Sequence, residues 1–232
     1  MTTGSDAYPV SARTTLKRRP QRGRYDRETV HAVLDAGLIA HVAYLAGGQP
    51  VATPTVYWRQ GDAVYWHGSA QSRPIGASGG EVCFTVCLLD GMVMARSAFR
   101  HSVRFRSVMA FGTPRALIDE AEKLEALEAM FDRLYPGRWA QIRGPSPAEL
   151  EATGMVALEL NEISAKVKTD PPLDFDADLS LPVWAGVLPV ALAVGTPEPC
   201  PRLTPGTPFP DHLADWSPKG GRRRGQVSYP DI

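Results

Sequence analysis

Between residues 81 and 89 the chain alternates with a period of two. Val82, Phe84, Val86 and Leu88 fall on one face, and Cys83, Thr85 and Cys87 on the other. Such alternation is the mark of a half-buried β-strand. Comparable runs surround it. Residues 38–45, 51–58 and 63–67 are strand-like and are ended by Ala46-Gly47-Gly48-Gln49-Pro50, by Gln60-Gly61-Asp62 and by a small polar loop. Asp90-Gly91 reads as a tight turn into a strand over 92–96. A long strand over 104–117 bends at Gly112 and Pro114, and 154–160 and 163–168 are the last strands. Pro54 inside the second run implies a sheet edge, a bulge or a break in the ladder.

Helices are few. Residues 26–36 read as one, with Asp26 as its cap, Val30, Val33 and Leu34 on one face and Gly37 after its end. Asp119 begins another, with Glu122 at the capping-box position and Leu124, Leu127, Phe131 and Leu134 along one side up to Pro136. A short one over 146–152 carries Pro147 in its first turn. Six to seven short antiparallel strands with helices outside define a mainly β (α+β) chain built as a small barrel.

The 25 basic and 25 acidic residues cancel only as totals. Residues 1–27 carry +5, residues 219–232 carry +3, and the body between carries −8. The expected organisation is a flexible basic arm over 1–24, the barrel over 25–170, an extended wrap over 171–196 and a proline-rich disordered tail over 197–232. Twelve of the 21 prolines lie beyond Asp170, which argues for extended chain there and against a second domain. A neutral sum does not suit a bulk polyanion partner. No signal-peptide core is present near the N-terminus, and the longest apolar run, 183–194, is broken by Pro189 and too short to span a bilayer. Cys83 and Cys87 are about 13 Å apart along a strand, beyond disulfide reach, and alternate with core residues, so a buried, inert pair is expected. The histidines show no ligand spacing for a structural metal. A reduced, cytoplasmic protein with no metal centre is the expectation.

Two stretches carry chemistry. Gly91 to Ile118 holds no acidic residue, yet Arg96, Arg100, Arg104, Arg106 and Arg115 all fall in it. Guanidinium forks match phosphate oxygens in a bidentate way, so the window suits a small dianion; a solvated barrel rim is the plainer alternative. The second stretch, Trp66-His67-Gly68-Ser69-Ala70-Gln71-Ser72-Arg73-Pro74, is a strand end opening into a Gly/Ser loop that can offer N–H and hydroxyl donors to an anion. It is neither a P-loop nor a Rossmann turn.

In their order and spacing these pieces resemble the pyridoxamine 5′-phosphate oxidase-like flavoproteins with an FMN-binding split barrel, nearest the nitroimidazole-resistance or flavin-nucleotide-binding branch. The resemblance runs from about Arg22 to Pro189. It rests on Arg22-Gly23-Arg24-Tyr25, Pro54-Thr55, His67-Gly68-Ser69 with Ser72-Arg73, the 83–89 strand, Phe105-Arg106-Ser107-Val108, Ser164-Ala165-Lys166-Val167 and Pro182-Val183-Trp184-Ala185-Gly186. It implies FMN as cofactor, with Ser72, Arg73, Arg106 and Ser107 on the phosphate. The backbone of Thr53, Pro54, Thr55 and Val56 would face the isoalloxazine, His67, Gly68 and Ser69 would flank the ring or ribityl chain, and Trp184 would cover it from a second subunit. A homodimer with flavin at the interface and a small-molecule substrate follows from the same resemblance, as does FMN-dependent oxidoreductase activity. The true oxidases carry Lys after the Ser-Arg pair, where this chain has Pro74, so oxidation of pyridoxamine phosphate is not expected. No catalytic residue is assigned. The rival readings are a non-catalytic flavin carrier, a split-barrel reductase using F420, a haem binder, and a nucleic-acid binder acting through the basic arms.

Overall fold

The computed structural model describes residues 6–72, Ile75 and 79–217. Among them ten strands form one curled antiparallel sheet: β1 (Gly23–Arg24), β2 (Ile39–Ala46), β3 (Gln49–Gln60), β4 (Ala63–Ser69), β5 (Val82–Met94), β6 (Ser102–Gly112), β7 (Arg115–Ala116), β8 (Thr153–Glu159), β9 (Glu162–Lys168) and β10 (Gly186–Pro189). The order is β1-β9-β6-β5-β2-β3-β4-β8-β7, with β10 beside the far end of β5. Seven of these strands are long and make the split barrel; β1, β7 and β10 are short additions. The β2–β3 hairpin closes through Gly47 and Gly48, both at positive φ (58° and 78°), the conformation a two-residue hairpin turn asks for and side chains resist.

The inward residues of the seven long strands, with helix α1 (Arg27–Ala36), form the main core. Val30, Val33 and Leu34 pack with Val42, Tyr57, Trp66, Phe84, Val108 and Ile163, all essentially inaccessible. Asp26 caps α1 through the Thr29 N–H at 2.7 Å. Helix α2 (Glu120–Leu134) covers the opposite face of β3 and β8, so Trp58, Met155 and Ala157 form a second core with Ala126, Met130 and Leu134. Of the expected stripe of α2, Leu134 is buried and Leu127 and Phe131 pack half-buried against this core, while Ala126 and Met130 are its other buried members and Leu124 is exposed. Glu122 serves Arg115 as ion-pair partner; the capping box belongs to helix α3 (Pro147–Ala152), through Ser146 and Glu149.

Several expectations need correction. Asp90-Gly91 is not a turn: β5 runs through it, with a register shift between Leu89 and Gly91 that makes Asp90 a bulge. Cys83 and Cys87 are not buried. They alternate with core residues and therefore point outward, Cys83 half-covered and Cys87 exposed. The N-terminal segment is not a free arm over its described part. Tyr8 is buried, its hydroxyl meets Asp62 at 2.8 Å and His31 at 2.7 Å, and the Arg27 guanidinium lies 4.3 Å over its ring. The C-terminal stretch also docks as far as it is described. Trp216 Nε1 donates to the Leu134 carbonyl at 2.8 Å, and the His212 ring lies against Gly137. No helix among the described residues is long and apolar enough to cross a membrane.

Candidate functional site

The barrel opens where β3 and β4 part. The two pair from Gln60↔Ala63 to Tyr57↔Trp66. Beyond that point β3 keeps only β2, through Val56 to Gln49, while β4 continues along β8 through His67↔Met155, Gly68↔Gly154 and Ser69↔Thr153. Thr53–Val56 and His67–Ser69 are therefore brought together as the two lips of one opening. The ladder to β2 runs through Pro50 and Pro54, and a proline fits a ladder where its nitrogen faces away from the partner. By the alternation of strand hydrogen bonding, the carbonyls of Ala52, Pro54 and Val56 and the N–H groups of Ala52 and Val56 line the opening. No strand among the described residues pairs with them.

The far lip is pinned by close backbone approach. A Cβ on Gly68 would sit 2.9 Å from Ser72 Oγ, and one on Gly154 would sit 2.6 Å from Ile75 and 2.9 Å from the Ala70 Cα. The loop closes with Ala70 N–H on the Ala152 carbonyl at 3.1 Å and Ser72 N–H on the Ser69 carbonyl at 2.8 Å. Ser69 stays exposed and Ser72 half-covered. Arg73 lies outside the described residues. His67 turns toward the second core, its ring 6.0 Å from Trp58, and its buried Nδ1 has no hydrogen-bond partner among the described residues. Burial pushes this imidazole below the ordinary histidine range, so it is neutral at pH 7. Thr53 bonds to the Tyr44 hydroxyl at 3.2 Å, and the Thr55 hydroxyl donates to the Val56 carbonyl at 3.2 Å; Pro54 and Val56 face outward.

The arginine window is acid-free in sequence but not in space. Arg106 donates through Nε and Nη2 to the bulged Asp90, at 2.9 and 2.7 Å, with both side chains about 15% exposed or less. Arg96 pairs with Asp174 and Arg115 with Glu122. Ser107 lies on the outward sheet face opposite Cys87 and Lys166, three strands from β3. Trp184 sits on the wrap beside β10, 62% exposed.

Sequence reasoning passed over His41. It is exposed at the centre of the outward face, in the row Pro54–His41–Thr85–Met109 that crosses β3, β2, β5 and β6. Its position between the buried Ala40 and Val42 was the available signal.

A curled antiparallel sheet, an unpaired strand edge and a pinned Gly/Ser loop together define a split barrel with a binding fork. Consistent with that, the family model for pyridoxamine 5′-phosphate oxidase matches residues 26–167, and the chain belongs to that family. Among solved structures it is similar to the flavocytochrome Anf3 from Azotobacter vinelandii, at 46% identity over 88% of this chain and 95% of that one, with a TM-score of 0.84. It is also similar to the FAD and haem binding protein from Mycobacterium smegmatis, at 36% identity over 83% and 95%, TM-score 0.79. A candidate 5-nitroimidazole antibiotic resistance protein from Bacteroides thetaiotaomicron shares the fold, at 17% identity over 62% and 86%, TM-score 0.53. No curated protein matches the chain.

Proposed function

We propose that the protein is a flavin-dependent oxidoreductase that holds its isoalloxazine along the open edge of β3. The carrying observation is the fork: alternating carbonyl and N–H groups on one lip and a pinned loop with Ser69 and Ser72 on the other. A heterocycle that both donates and accepts hydrogen bonds satisfies backbone groups left unpaired there. A bound flavin would supply hydride and electron transfer to a small substrate. The protein's part is to hold the ring and keep His67 neutral beside the opening. The resemblance of the motifs points to FMN; the similar Mycobacterium smegmatis protein, which binds FAD and haem, favours FAD.

A second copy of the chain completes the site in this reading. Ile39, Val56, Leu89, Met92 and Met109 lie exposed across the outward face, and Leu181, Val183, Trp184 and Leu188 on the wrap. A face that exposes this many apolar side chains favours association, and Trp184 would then close over the partner's flavin. A second cofactor is favoured by one observation: His41 offers an imidazole, without a hydrogen-bond partner among the described residues, in the middle of that apolar face. Haem, which the similar Mycobacterium smegmatis protein binds, fits this donor and its surroundings.

Denaturing extraction and mass identification of the chromophore test the reading, together with anaerobic reduction by NADH and NADPH and light scattering for the oligomer. A bound flavin bleached by reduced nicotinamide, in a dimer, is expected. A colourless protein that takes up neither FMN nor FAD overturns the proposal; bound flavin that neither donor bleaches makes it a carrier.

A further inference from the structure

The connection between β5 and β6 forms a cationic end of the barrel. Arg96, Arg100 and Arg104 lie in or beside it, and Arg22 and Lys168 join from the chain ahead of β1 and from β9. Among the described residues two carboxylates pair with these cations. Asp174 accepts from the Arg96 backbone and guanidinium at 2.8 Å each, and Asp170 pairs with Arg22. Lys168 is buried; its ammonium donates to Ser102 Oγ at 2.5 Å and the Val103 carbonyl at 3.1 Å, which leaves one donor over. Burial, with Arg22 and Arg104 close by, pushes that ammonium below the ordinary lysine range. The buried Nε groups of Arg96 and Arg100 have no hydrogen-bond partner among the described residues. A buried ammonium with a donor to spare, beside partly covered arginines whose buried Nε groups lack partners among the described residues, has a use for an anion there.

An aromatic shelf adjoins these donors. The Arg100 guanidinium lies 3.8 Å over the Phe175 ring, and Phe99 stacks nearly parallel to Phe175, at 6.2 Å and 18°, while remaining 81% exposed. A flat, exposed ring beside the Arg100 guanidinium, whose Nε has no partner among the described residues, suits a planar base carrying phosphates.

We propose that this end of the barrel binds the adenosine diphosphate portion of a dinucleotide, with Arg100, Arg104 and Lys168 on the phosphates and the base on Phe99. Two ligands carry that chemistry: the distal half of FAD and a separate reduced nicotinamide nucleotide. The FAD alternative rests on the flavin reading above; the ADP site itself does not.

The test is calorimetric titration of the purified full-length protein with ADP, FAD and FMN, in the native chain and in the Phe99→Ala/Arg100→Gln variant. Thermal melts confirm that these surface changes leave the fold intact. ADP should bind, and the variant should weaken ADP and FAD at least tenfold while FMN binding stays the same. ADP displaced by FAD assigns the site to the flavin's own second half; ADP binding to FAD-loaded protein assigns it to a separate nucleotide. If no flavin binds but ADP does, and the variant loses it, the flavin reading falls and the site stands. If ADP fails to bind the native protein, or the variant weakens FMN as much as FAD, the proposal is overturned.

Discussion

The Arg106–Asp90 pair decides whether the most suggestive arginine of the sequence holds a ligand or holds the fold. Asp90→Asn removes the charge and keeps the shape. The pair is bidentate, at 2.9 and 2.7 Å, and both side chains are largely shielded from water. Breaking a buried pair by neutralising one partner leaves the other charge desolvated, at about 3–5 kcal/mol for full burial. With residual exposure on both sides, about 2–3 kcal/mol is the reasonable figure here. For a chain of this size that lowers the melting temperature by roughly 5–10 °C. Differential scanning calorimetry on flavin-free protein measures it. The double change Asp90→Leu/Arg106→Met should recover most of the loss, because neither charge then remains buried. Flavin affinity should fall modestly in Asp90→Asn, as the bulge loosens. The reasoning is refuted if Asp90→Asn melts like the native protein and binds flavin more tightly, since Arg106 would then be a phosphate ligand that Asp90 merely restrains.

Two other expectations follow from the fork. Gly154→Ala puts a methyl 2.6 Å from Ile75 and 2.9 Å from the Ala70 backbone; overpacking of this kind costs about 1–3 kcal/mol, and flavin titration should show weaker binding because the Ser69–Ser72 lip is displaced. His67 binds a proton less readily folded than unfolded, so its contribution to stability is complete above the ordinary histidine value of 6.5 and is lost as pH falls from there through the lower folded value. His31, lowered by burial and then by Arg59, acts in the same direction. Urea denaturation at pH 7.5 and pH 5 should show this decline, and His67→Gln should make it shallower; an equal decline in the variant would exclude His67 as a source.

The period-two segments made the barrel legible because a strand's two faces are written in adjacent letters. Helix α1 was equally plain, since Asp26 and Gly37 mark its ends locally. Most of the failures are of one kind: a local signal answered to a distant partner. Asp90-Gly91 has turn composition, but Gly91 is small because β10 passes close by; a Cβ there would sit 2.9 Å from Val187. The arginine window is free of carboxylates only along the chain, for Asp90 and Asp174 reach it from either side. Tyr8 sits in a polar, basic stretch, and nothing near it in sequence announces the pocket made by His31, Arg27 and Asp62. In the candidate site, the two lips were each visible as motifs. That they face one another depends on where β3 leaves β4, a tertiary fact with no sequence mark except Pro54.

The prolines of β3 have a consequence beyond the ligand. A bare strand edge is a template on which another chain can add itself, the usual first step toward fibrous or domain-swapped assembly. Pro50 and Pro54 remove two of the donors such an intruding strand would need, at alternate positions on the exposed side. The opening can therefore stay wide enough for a small molecule without inviting a polypeptide to zip it shut. What reads as an interruption in the sheet is also its guard against the wrong kind of closure.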